Sequence, residues 1–84
     1  MKFVGIVKLW GDSLTIRLPK KLAINEGIEV GKLVEITTPR LEFPDTVKNW
    51  NKSLVVVIPK KMATNVGIKD KDFVDVTVTK KEQE

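Results

Sequence analysis

The chain has 84 residues, no cysteine, no histidine, a formal net charge of +4 and a sequence pI near 9.5. This composition excludes a disulfide framework, a thiolate or imidazole zinc site and any nucleophilic centre built on Cys–His or Ser–His, which leaves carboxylates as the catalytic candidates. No apolar run reaches about 18 residues, and the opening M-K-F-V-G-I-V-K-L-W breaks at Lys8 before a signal-type apolar region forms, so a soluble, cytoplasmic protein without a membrane span is expected.

Residues 2–10 hold Phe3, Val4, Ile6, Val7, Leu9 and Trp10 around Gly5, a β-rich composition that predicts a strand with a bulge at the glycine. Gly11 and Asp12 supply a turn. From Ser13 to Leu18 the alternation is strict, with Leu14, Ile16 and Leu18 on one face and Ser13, Thr15 and Arg17 on the other, which predicts a half-buried strand presenting an arginine. Pro19 ends that strand and fits a first-turn helical position. Lys20–Glu26 is helix-compatible, and Gly27 stands where a left-handed terminating residue is wanted. After a turn around Gly31, residues 33–38 alternate again and predict a strand.

The same order then returns. Residues 41–47 take the place of the first strand, with Pro44 and Asp45 where Val4 and Gly5 stood, so the proline should interrupt that strand or confine it to an edge. A turn at Asn51-Lys52, a strand over 53–58, a helix over 60–66, a stop at Gly67 and a strand over 73–79 follow. Residues Lys80–Glu84 read as a frayed polar end. Aligned at a spacing of 40, the two halves (1–40 and 41–80) share 15 identities without a gap, among them Trp10/Trp50, Ser13/Ser53, Pro19/Pro59, both Lys-Lys pairs and Gly27-Ile28/Gly67-Ile68. Repeat arrays need about three or more units to bury a continuous core. A lone half sits near the roughly 40-residue limit for independent folding. Two copies sharing one core, an internal pseudo-dimer forming a single domain over 1–84, is therefore the expected organisation.

W-G-D-S-L-T-I-R-L-P-K-K-L followed by N-E-G-I and V-G-K-L-V-E-I, and again W-N-K-S-L-V-V-V-I-P-K-K-M with N-V-G-I, resembles the AbrB/MazE/SpoVT family of small swapped-hairpin DNA-binding domains. The likeness covers almost the whole chain. It implies a mainly β fold with two short helices, a swapped-hairpin β-barrel made by two interleaved copies, here within one chain. It also implies exposed basic β-hairpins that meet double-stranded DNA, and a role in transcriptional regulation, often as the antitoxin that represses its own operon. Family antitoxins continue from the barrel into a tail that wraps the toxin. Only Lys80–Glu84 follows the last strand here, which favours the regulator over the antitoxin.

On this reading Lys8, Lys48 and Lys52 are the phosphate-contacting candidates, and Arg17 reads a base edge with help from Ser13, Asn51 and Ser53. The bland reading of Arg17 is an exposed strand residue that serves solubility. Lys20, Lys21, Lys60 and Lys61 face the positive end of a helix dipole, and are either phosphate contacts or solvated lysines inherited by both copies. Trp10 and Trp50 fit packing better than base stacking. Where copy one has Thr15 and Arg17, copy two has Val55 and Val57, an apolar face expected to be buried by another part of the chain, by self-association or by a protein partner. Asp70, Asp72 and Asp75 have no acidic trio as counterpart in copy one and lack the spacing of a Ca²⁺ loop, so they read as a solvated turn and strand face. No enzyme activity and no cofactor are expected.

Overall fold

The computed structural model describes residues 1–81. Seven strands and two short helices follow in the order β1 (Lys2–Trp10), β2 (Ser13–Arg17), α1 (Lys20–Asn25), β3 (Leu33–Thr37), β4 (Glu42–Thr46), β5 (Lys48–Trp50), β6 (Ser53–Ile58), α2 (Lys60–Val66) and β7 (Phe73–Lys80). The prolines act as expected at a slightly different place: Pro19 and Pro59 are the N-caps, in extended conformation, and their carbonyls accept from Ala23 and Ala63. Gly27 and Gly67 adopt φ of 71° and 77°, the left-handed conformation that ends each helix at least steric cost.

All strands join one antiparallel sheet in the order β4-β3-β7-β1-β2-β6-β5. Its register carries the repeat into space. The N-terminal half of β1 pairs with β7 (Lys2 opposite Thr77), and β4 pairs with β3 in the same register (Glu42 opposite Thr37), so each copy lends its first strand to the other copy's last. Each copy keeps its own hairpin, β1 with β2 and β5 with β6. Ile16 faces its repeat mate Val56, and Thr37 faces its mate Thr77, which places a pseudo-twofold axis through both pairs. The mid-strand valines obey the same symmetry. Val7 donates to Asp72 O at 2.8 Å and accepts from Lys71 at 2.6 Å; Val47 donates to Lys32 O at 3.0 Å and accepts from Gly31 at 2.9 Å.

The expected barrel does not close. β4 and β5 are the two edges of the sheet; the chain links them at Val47, and no backbone ladder joins them. The register of β5 on β6 would set Val57 opposite Thr46, but its N–H donates instead to the Asp45 carboxylate at 2.8 Å. A side chain thus supplies the acceptor that a backbone ladder would have supplied. Pro44, which has no N–H to give, lies on the edge strand as expected. In β1 the equivalent position to Asp45 is Gly5, and that strand runs unbroken through both halves of the sheet. A Cβ on Gly5 would stand 3.0 Å from Ile16 Cγ2 and 3.1 Å from Phe3 Cε2, so the glycine permits close layering and does not mark a bulge.

The core is one cluster drawn from both copies: Val7, Ile16, Leu18 and Ile36 pack with Val47, Val56, Ile58 and Val78, closed by Ala23 and Ala63 from the helices. The C-terminal ends of the helices receive cations from the opposite copy. Arg40 donates to Val66 O at 3.2 Å, and the ammonium of its repeat mate Lys80 lies 3.1 Å from where a Cβ on Gly27 would stand. Both placements oppose the negative end of a helix dipole. The expected frayed end is shorter than the sequence indicates: Lys80 belongs to β7, and Lys81 donates to Leu33 O and pairs with Glu35 at 3.1 Å. The rest of that expectation falls on 82–84, outside the described residues. Among the described residues no helix is long and apolar enough to cross a membrane.

Candidate nucleic-acid interface

The hairpins β1–β2 and β5–β6 lie side by side through the β2–β6 ladder and form a four-stranded half-sheet. Alternation puts one set of side chains on the core side and the other outward. Lys8, Trp10, Ser13, Thr15 and Arg17 from copy one share the outer face with Lys48, Trp50, Ser53, Val55 and Val57 from copy two. Because β2 and β6 run antiparallel, the turns Gly11-Asp12 and Asn51-Lys52 lie at opposite ends of this half-sheet. The register separates Asp12 from Lys52 by eight residue steps, about 26 Å at about 3.3 Å per step.

Trp10 and Trp50 stack on each other, with ring centroids 5.6 Å apart and planes inclined by 21°. Two strands separate the strands that carry them, so rings that meet must reach across the outer face. Thr15 and Val55 on that face are 2% and 0% exposed. The Thr15 hydroxyl is satisfied by donating to Lys8 O at 3.1 Å. Burial of the Val55/Val57 side therefore comes from within the chain: Val55 is covered and Val57 half-buried, and neither forms the open apolar patch that would call for a second molecule. The sequence pattern could not reveal this, because both tryptophans sit at strand ends and their meeting depends on the register of β2 against β6.

The seven candidate residues lie on the two hairpins but differ in freedom. Lys8, Arg17, Asn51 and Lys52 are exposed, and none of the cations among them forms an ion pair among the described residues. Ser13 and Ser53 are half-buried opposite Trp10 and Trp50. Lys48 is engaged: its ammonium donates to both Asp45 oxygens at 2.9 and 3.1 Å and to Thr46 O at 3.0 Å. In this arrangement Lys48 clamps the broken strand to its neighbour. Arg17 lines a hollow of about 150 Å³ with Lys8, Trp10, Thr15 and Ser53, and a wider groove with Lys20, Ile6 and Phe73.

Asp70 and Asp72 are turn acceptors rather than merely solvated. Asp70 accepts from Leu9 N–H at 2.8 Å, and Asp72 from Lys69 N–H at 2.9 Å. Among the described residues no group of three or more acidic side chains could hold a metal ion.

Charge is strongly segregated. Residues 7–21 and 47–61, the hairpins and the helix starts that leave them, hold eight of the 15 basic residues and one of the 11 acidic ones, Asp12. Their local net charge is +7 against −3 for the remainder. This signal was readable from the sequence by counting charge per segment instead of per chain, and it brings Lys20, Lys21, Lys60 and Lys61 into the same field as the hairpins. Comparison of the chain with protein-family profiles, with curated proteins and with solved structures finds no match.

Proposed function

We propose that the protein is a duplex-DNA-binding transcriptional regulator of the swapped-hairpin type, with the outer face of its two hairpins as the docking surface. The observation that carries this reading is the segregation of charge: +7 on the hairpin segments of a chain whose total is only +4. A field of that kind attracts a polyanion and raises encounter rates. The exchange of first strands between copies and the family resemblance of the repeated motif support the swapped-hairpin class. Lys8 and Lys52 are exposed point charges suited to phosphate, whereas Arg17 offers the planar fork that matches guanine O6 and N7.

Fluorescence anisotropy of the full chain on labelled duplex at several salt concentrations tests the proposal. Contacts from Lys8, Arg17 and Lys52 give a log–log slope of about −2.7, steeper if the helix-start lysines join. Lys52→Ala lowers affinity for every sequence and reduces the slope by about 1, while Arg17→Ala narrows the gap between preferred and random duplex by about 1–3 kcal/mol. A salt-independent affinity overturns the reading.

A further inference from the structure

The strand pairing of the hairpin face is two-fold symmetric, but some of its outer side chains are not. Core mates across the axis are the same or nearly so, as with Leu14/Leu54, Ile16/Val56 and Leu18/Ile58. The exposed positions break the symmetry: Arg17 is mated to Val57 and Asp12 to Lys52. The turns differ as well. Asn51 and Lys52 both have positive φ (57° and 67°), the pattern of a type I′ turn, whereas in the other hairpin only Gly11 does (60°), the pattern of type II′.

These differences reinforce one another because of the β2–β6 register. Arg17 belongs to copy one but lies opposite Val55, on copy two's side of the axis. It is three residue steps from the level of Lys52 and five from Asp12, about 10 Å against about 16 Å along the strands. It lines a groove with Pro19 and Lys20, toward the Lys52 end, and a hollow that joins Ser53 at that end to Lys8 and Trp10 of its own hairpin. The guanidinium and the turn lysine, which has no ion pair among the described residues, therefore gather at one end, and the carboxylate of Asp12 stands at the tip of the other, in the half that also carries Lys8.

We infer that the protein reads a non-palindromic duplex in a single orientation, one molecule per site, with the Arg17/Lys52 end over the base-specific half and the Asp12 end held off the phosphates. The inference rests on the DNA-binding reading above. The guanidinium is a planar fork that can read a G·C pair bidentately in the major groove, and Lys52, toward the same end, anchors the flanking phosphate. At the far tip a carboxylate repels phosphate, so that half contributes less to affinity. Both turns fall within about 26 Å, less than the about 34 Å of one helical turn, so a single molecule spans the site.

Selection of preferred sequences from a random duplex library with the full chain is expected to return a consensus without two-fold symmetry, bound at 1:1 stoichiometry. The chain has no native cysteine, so Asp12→Cys can carry a single DNA-cleaving chelate. Cleavage confined to one side of the selected site supports the inference. Equal cleavage on both sides, or a palindromic consensus, overturns it while leaving DNA binding intact. Failure to bind any duplex removes the DNA-binding reading itself. Symmetrised chains provide a second measurement: Arg17→Val removes the guanine preference, and Asp12→Lys, at an exposed turn, makes cleavage-independent footprints more symmetric, with unchanged far-UV dichroism confirming the fold. A footprint of Asp12→Lys no more symmetric than that of the parent chain counts against the inference.

Discussion

Single residues decide which cations remain free. Lys8 and Lys48 are identical in the repeat, yet Asp45, whose mate is Gly5, captures Lys48, whereas Lys8 has no ion pair among the described residues. Asp45 also accepts from Val57 N–H, so one carboxylate ties the broken strand to β6. Asp45→Ala is expected to cost about 1–3 kcal/mol, because a partly buried N–H loses its acceptor; urea denaturation monitored by tryptophan fluorescence checks this. Lys48→Ala removes an ion pair that is partly solvated and should cost no more than about 1 kcal/mol. It is expected to leave DNA affinity within about twofold of the parent chain, unlike Lys52→Ala, when both are titrated with the same labelled duplex. The motif pairs Lys8 with Lys48 but cannot distinguish them, since what separates them is a neighbour three residues upstream of only one.

At the scale of elements, the first strand of each copy has to serve two partners, changing neighbours at Val7 or Val47. In copy one this works as a single nine-residue strand because Gly5 allows Ile16, Phe3 and Val76 to close over it. Gly5→Ala is expected to destabilise the protein by about 1–3 kcal/mol, since a β-carbon there forces core side chains off their positions. The effect outweighs the roughly 0.4–1 kcal/mol that a Gly→Ala change gains through the unfolded chain; a lowered thermal midpoint by circular dichroism checks the sign. The strand periods, the proline-started helices and the glycine stops were all legible in the sequence, because each depends on local backbone chemistry. The role of Gly5 was not, and the bulge expected there is absent, because the close approach that needs a glycine comes from Ile16 and Val76, 11 and 71 positions away, together with Phe3.

For the whole molecule, the exchange of first strands makes the two copies mutually dependent. Neither half contains a partner for its own last strand, and the core cluster alternates between copies. A peptide of residues 1–40 is expected to be unfolded by circular dichroism on its own, whereas the full chain unfolds in one transition with the same midpoint by fluorescence and dichroism. Two separable transitions would contradict a shared core. The same dependence gives the surface its polarity, because the antiparallel pairing of β2 with β6 carries Arg17 across the axis toward the other copy's turn.

The sequence by itself determined the repeat, the two-residue turns, the segregation of basic residues onto the hairpin segments and the order of strands and helices, apart from the split of the second copy's first strand into β4 and β5. Each of these follows from local propensity or from composition along the chain. Tertiary structure alone decided that the sheet stays open at Val47, that Trp10 and Trp50 stack on each other while Val55 is buried within the chain, and that Lys48 is occupied while Arg17 has no ion pair among the described residues. These outcomes depend on register. A slip of one residue in an antiparallel ladder exchanges the two faces of a strand, and only the packed core fixes which register is kept.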